Sequence, residues 1–123
     1  MFNFEKLDVW QKAIDVADLV YSTTKHFPSE ERFGLTNQLR RAPVSVSSNI
    51  AEGSSRASQT DFARFIEIAA GSLFEITSQA FVAQRQDFLS ADEFRAIYAD
   101  REELSRMRSG LRKSLLSTIN YQP

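Results

Sequence analysis

At 123 residues and 14.0 kDa the chain has the length of one domain. Its 15 Lys/Arg and 16 Asp/Glu nearly cancel at a pI near 5.8, and 42% of it is hydrophobic, so neither an overall basic field nor a disordered chain is expected. The absence of Cys and the single His26 exclude disulfides, thiolate sites, Cys nucleophiles and multi-His metal sites.

The first helix is predicted from about Asp8, which can cap it, to about Lys25. Trp10, Ala13, Ile14, Ala17, Val20, Tyr21 and Thr24 recur on one face at helical spacing. Phe27-Pro28 stops it, because proline lacks the donor and disfavours helical geometry in the residue before it. His26 falls at this end, where it can meet the last carbonyls.

Ser29 with the acids Glu30 and Glu31 opens the second helix, negative charge being favoured at the N-terminal end. Leu35, Leu39, Ala42, Val46 and Ile50 form its stripe, and Pro43 lies inside it. Losing the bond to the Leu39 carbonyl predicts a kink at Pro43. Gly53 is placed to end the helix in the left-handed conformation.

Ser58-Gln59-Thr60-Asp61 resembles a capping box and opens a long third helix that reaches about Asp87. Phe62, Ile66, Ala69, Leu73, Ile76 and Ala80 make its main stripe. Phe65, Ile68 and Ala83 flank one side; Phe74, Phe81 and Phe88 flank the other at heptad spacing. So wide an apolar arc implies burial around more than half the helix. Ser90-Ala91-Asp92-Glu93, an S-x-x-E capping box, opens the fourth helix. Its stripe of Phe94, Ile97, Tyr98, Leu104, Met107, Leu111 and Leu115 runs to about Leu116.

Strand-type alternation is absent. The expected fold is all-α, an up-and-down antiparallel four-helix bundle, its second helix kinked at Pro43. It is one domain over 1–123, with a short lead at 1–7 and a frayed tail at 117–123. No apolar run approaches the roughly 20 residues of a membrane span, and the charged start MFNFEKLD does not read as a signal peptide. A cytoplasmic protein without a membrane partner is expected.

Three groups of residues are candidates for function. Arg40 and Arg41 sit on different strips of the second helix: Arg41, Ser45, Ser48 and Glu52 on one, Arg40, Val44, Ser47 and Ala51 on the other. Small residues on such strips admit a second helix or a neighbouring subunit. Each arginine either pairs with an acid on a neighbouring helix, such as Glu67 or Glu75, or recognises phosphate or a partner through its planar guanidinium. Arg106, Arg108, Arg112 and Lys113 meet no acid in the sequence from Leu104 onward. They either complement the negative end of their own helix or form, with Arg56 and Arg64, a patch for RNA or DNA. Phe74, Phe81 and Phe88 are surplus to one bundle face and point to self-association, together with Val44, Ser47 and Ala51.

Catalysis has no comparable candidate. No Glu-x-x-His pair, no phosphate-cradling glycine motif and no His beside the serines between Ser45 and Ser58 occurs, so neither an enzyme nor a cofactor is expected.

Five blocks in order carry a resemblance: Leu7–Ala13; Phe27-Pro28 with Glu31–Leu35; Gln38–Ala42; Asn49–Gly53; and Phe65-Ile66 with Ala69–Glu75. Over about residues 5–116 the chain resembles the bacterial four-helix bundle family related to proteins encoded in 23S rRNA intervening sequences. It is similar, more distantly, to the accessory variability proteins of diversity-generating retroelements. The resemblance implies an up-and-down protomer, a ring-like homopentamer and a close-packing role for Gly71. The retroelement relatives work with a reverse transcriptase and bind nucleic acid through basic surface. A non-enzymatic oligomeric scaffold or adaptor with weak non-specific RNA or DNA binding is therefore expected, the alternative being a purely protein-binding oligomeric module.

Overall fold

The computed structural model describes residues 2–120. A short 3-10 helix (Asn3–Lys6) precedes α1 (Asp8–Thr24); a second one (Ser29–Glu31) precedes α2 (Leu35–Ser54), and α3 (Gln59–Arg85) and α4 (Ala91–Asn120) follow. No strand occurs among the described residues. Helices consecutive in the chain pack on each other, α4 closes back on α1, and the diagonal backbones stay apart. Short connections reverse the chain at each turn, giving an up-and-down four-helix bundle. Val16 and Val20 of α1, Leu39, Val46 and Ile50 of α2, Ile66, Leu73 and Ile76 of α3, and Ile97 and Leu104 of α4 fill its fully buried core.

The helix ends show how local chemistry sets the boundaries. Asp8 is the first residue of α1, and no side chain caps it. The second helix starts later than Ser29, because Ser29–Glu31 turns as a 3-10 helix first. Glu31 then folds back, its Oε2 accepting the Leu35 amide at 3.0 Å, past a Gly34 whose Cβ would stand 2.9 Å from that oxygen. Pro43 is buried inside α2, which runs through it to Ser54.

Ser58 caps α3 by accepting the Asp61 amide. Its C-terminal end comes two residues before the expected Asp87, which adopts φ 63°. The Phe88 amide reaches the Ala83 carbonyl and the Asp87 amide the Gln84 carbonyl, the paired bonds of a left-handed helix stop with Asp in the usual glycine position. The capping box of α4 is complete: the Ser90 amide donates to Glu93 Oε1 at 2.8 Å, and the Glu93 amide donates to Ser90 Oγ at 3.0 Å. α4 continues to Asn120, past the expected Leu116 and into the expected tail, whose Tyr121–Pro123 lie outside the described residues.

The buried faces correct several assignments. In α1, Val9, Val16 and Thr23 are buried, while Trp10 and Ile14 are half-buried and Tyr21 is exposed. The buried arc is rotated because α1 touches both α2 and α4 and faces the line between them. Gly53 is helical and buried, not a terminator: a Cβ there would lie 2.8 Å from Phe65 Cβ and 3.0 Å from Phe62 Cδ1. Gly71 faces open space, so within the protomer the close-packing glycine is Gly53. The wide arc of α3 is not buried by the protomer: Ile68, Phe74, Phe81 and Val82 are exposed. α3 has the length and hydropathy of a membrane span, yet its buried side packs against α2 and α4.

Polar contacts join α1 to α4. Lys12 bridges Asp100 and Glu103 at 3.4 and 3.0 Å. Burial pulls its pKa down, but the hydrogen bonds and charges of Glu103 and Asp100 outweigh it and hold the ammonium above its ordinary value. His26 Nε2 meets Glu93 Oε2 at 2.8 Å, tying the end of α1 to the start of α4 rather than to its own last carbonyls.

Candidate interaction surfaces

On the seam between α3 and α4, two arginines occupy core positions. Along α4 the inward series Ile97, Arg101, Leu104, Arg108, Leu111 and Leu115 has helical spacing, and Arg101 is 8% exposed. Arg101 Nε donates to the Leu73 carbonyl at 3.1 Å, and Arg108 Nη1 donates to the Ile66 carbonyl at 3.2 Å. Both pairs are one heptad apart, so the antiparallel helices match 101 to 73 and 108 to 66. Helix carbonyls keep a second lone pair, and a guanidinium can use it without breaking the helix. Arg101 also pairs with Glu102 and lies 5.4 Å from the centroid of the Phe74 ring.

Phe74 is 69% exposed, and a cluster of three further rings lies on the same seam. Phe81 packs 4.8 Å from Phe94, which lies 5.9 Å from Tyr98, while Phe81 and Tyr98 both remain substantially exposed. A shallow cleft of about 470 Å³ lies over them, lined by Phe81, Phe94, Arg95, Tyr98 and Ala99. Phe88, beyond the end of α3, is not part of this surface. It is half-buried and packs 5.5 Å from Phe27 beneath the loops.

On the α2 strip that also carries Arg40, Val44 is exposed, Ala51 is half-buried, and Ser47 is buried with its hydroxyl donating to the Val44 carbonyl. Neither Arg40 nor Arg41 pairs with Glu67 or Glu75. Arg40 turns to α1, where Nε donates to Thr24 Oγ1 at 2.8 Å and the guanidinium covers Tyr21. Arg41 faces a cavity of about 380 Å³ together with Gln38, Ser45, Ser72, Glu75 and Gln79.

Half of the eight basic candidates pair with acids, two of them with the same Glu67. Glu67 Oε2 lies 2.5 Å from Arg112 Nε and 3.7 Å from Arg108 Nη1. Burial lowers the Arg108 pKa, Glu67 opposes that shift, and the charge of Arg112 adds to it. Arg56 pairs with Glu52 and lies over the Phe65 ring, and Arg64 pairs with Asp61. Arg40, Arg41, Arg106 and Lys113 carry no ion pair among the described residues, Arg40 being held by Thr24 and Tyr21. No cluster of three or more His, Asp or Glu suited to a metal ion occurs among the described residues.

The profile of the 23S rRNA-intervening sequence proteins matches residues 5–110. The chain belongs to that family. Its fold is similar to a crystallised protein of unknown function from the S23 ribosomal protein family of Bacteroides thetaiotaomicron VPI-5482, with a TM-score of 0.78 and 22% identity. The likeness covers 85% of this chain and 95% of that one. No curated protein matches the chain. Blocks that carried the family resemblance are distant in sequence but adjacent in the bundle: Gln38–Ala42 and Ala69–Glu75 face each other across the α2/α3 cavity. Arg101 was not singled out in the sequence and Arg108 was read as part of a basic patch, although both fit the spacing of the apolar stripe, Arg101 buried and Arg108 half-buried.

Proposed function

We propose that this 23S rRNA-intervening sequence protein is a non-enzymatic scaffold or adaptor that works as a homo-oligomer, with a closed ring of five as the expected arrangement. The observation that supports it is the exposed aromatic surface along the α3/α4 seam, where Phe81 and Tyr98 are in ring contact and Phe74 stands 69% exposed on the same helix as Phe81. Removing apolar surface from water yields roughly 25 cal/mol per Å², and large exposed apolar patches mark interaction sites. Light scattering is expected to report several protomer masses for the wild type. Phe81→Glu is expected to return the mass toward one protomer while helical circular dichroism persists. A monomeric wild type at micromolar concentration would refute the proposal.

Nucleic-acid binding is the weaker arm of this reading. It rests on Arg106, Lys113 and Arg41, multiplied by repetition around a ring. The ion pairs of Arg56, Arg64, Arg108 and Arg112 favour the purely protein-binding alternative, because a phosphate would have to displace an acid from each. Titration of RNA and DNA oligomers at low and physiological salt decides between them. Binding that falls steeply with salt and weakens in Arg106→Gln/Lys113→Gln supports the nucleic-acid arm. No binding at low salt by an intact oligomer leaves the protein scaffold alone.

A further inference from the structure

We propose that the cavity between α2 and α3 is a binding site for a small zwitterion, an α-amino acid with a polar side chain. Its carboxylate would sit on Arg41 and its ammonium group between Glu75 and the Gln79 amide oxygen. The cavity is built from two matched series. Gln38, Arg41 and Ser45 occupy one face of α2, and Ser72, Glu75 and Gln79 occupy one face of α3, each series stepping along the chain by three and then four residues. Because the helices are antiparallel, the series face each other as three rungs: Ser45 with Ser72, Arg41 with Glu75, and Gln38 with Gln79.

Only the lowest rung is closed. Ser72 Oγ donates to Ser45 Oγ at 3.0 Å, and Asn49 Nδ2 donates to the Ser45 carbonyl at 2.9 Å. The upper rungs stand open around about 380 Å³, the share of roughly a dozen waters at ~30 Å³ each. Arg41 and Glu75 make no ion pair across the gap. Gln79 Oε1 is buried without a hydrogen-bond partner, a cost that a bound donor would relieve.

The lining selects the ligand class. Opposite charges stand on opposite walls, so a simple anion meets Glu75 and a simple cation meets Arg41, whereas a molecule with both poles satisfies the two together. All six lining residues are polar, which leaves no aromatic platform for a stacked base, and the aliphatic stems of Gln38, Arg41, Glu75 and Gln79 are the only apolar surface a ligand would meet. The serine floor and the Gln38 amide provide donors and acceptors for a polar side chain.

The test is a titration of ¹⁵N-labelled protein with L-glutamine, L-asparagine, L-serine and L-arginine, using succinate and putrescine as probes of a single charge type. Saturable shifts at Arg41, Ser45, Ser72 and Gln79 are expected for at least one amino acid and for neither control. Arg41→Gln and Glu75→Gln are each expected to weaken that binding by about tenfold or more, without changing the unliganded melting temperature or the assembly mass. The proposal is overturned if no amino acid gives a saturable shift, if succinate or putrescine binds equally well, or if either variant leaves binding unchanged. It is also overturned if the variants break the assembly, since Arg41 and Glu75 would then belong to a subunit contact. That result would leave the Phe81 test of oligomerisation untouched.

Discussion

The two flanks of α3 solve the same packing problem with different residues. Towards α2, a small residue admits the neighbour: Gly53 lies so close to Phe62 and Phe65 that even a Cβ would clash. Towards α4, long side chains span the gap, with Arg101 and Arg108 delivering charge-assisted hydrogen bonds to the Leu73 and Ile66 carbonyls. The first flank leaves a polar cavity above its closest approach, whereas the second leaves aromatic rings exposed beside its arginines. A single helix therefore presents two chemically different surfaces: Ser72, Glu75 and Gln79 face the α2 side, Phe74 and Phe81 the α4 side, and the neighbours differ in side-chain size as well.

The largest effect that would break this contrast is expected at Arg101. Arg101→Ala removes the bond to the Leu73 carbonyl, the partner of Glu102 and the cover over Phe74, at an expected cost of about 3 kcal/mol in urea unfolding. Arg101→Met should recover much of it, since an apolar side chain fills a buried site without stranding a charge. If the alanine variant is as stable as wild type, the arginine does not hold the α3/α4 seam.

Next is the pair of glycines in helices. Gly53→Ala is expected to cost about 1–2 kcal/mol, overpacking against Phe62 and Phe65 exceeding the gain in helix propensity. Gly71→Ala meets nothing within 4 Å and is expected to stabilise by about 0.5–1 kcal/mol. Equal shifts in melting temperature for the two would show that α2 and α3 do not approach closely at Gly53.

The smallest effect concerns the top of the bundle. The Ser90 amide, opposed by burial and assisted by His26, holds the Glu93 carboxyl below its ordinary value of 4.5. A carboxyl depressed by folding adds stability that is complete above its unfolded value and is lost as pH falls through the lower folded one. Glu93→Gln should therefore flatten the loss of stability below pH 4.5, as read from melting temperatures across that range. An unchanged acid slope would remove Glu93 from the account.

Much of the architecture was legible in the sequence because helical periodicity and caps are local. The Ser58 and Ser90 caps, the Phe27-Pro28 stop and the apolar stripes of α2 and α3 all act within a few residues. The end of α3 was read to within two residues, but its left-handed stop was not, because Asp87 and not glycine takes that conformation. The first stripe was rotated in the reading because Val9 and Val16 could not be ranked against Trp10 and Tyr21 without knowing where α2 and α4 lie. Of the candidate site residues, Phe74 and Phe81 were visible as surplus aromatics. The cavity residues were visible only as separate pieces: Arg41 and Ser45 on one strip, Glu75 as a possible partner.

By itself the sequence determined four amphipathic helices, their approximate limits, an all-α bundle and membership of one family, since each follows from short-range spacing or from ordered motifs. Only the tertiary structure decided which arginines are spent on carbonyls and acids, which glycine is crowded, and which polar residues face one another across α2 and α3. Those outcomes depend on how antiparallel helices register against each other, and register is a property of two segments distant in the chain. A helical wheel assigns Arg41 and Glu75 each to a face; packing alone sets them on opposite walls of the same cavity.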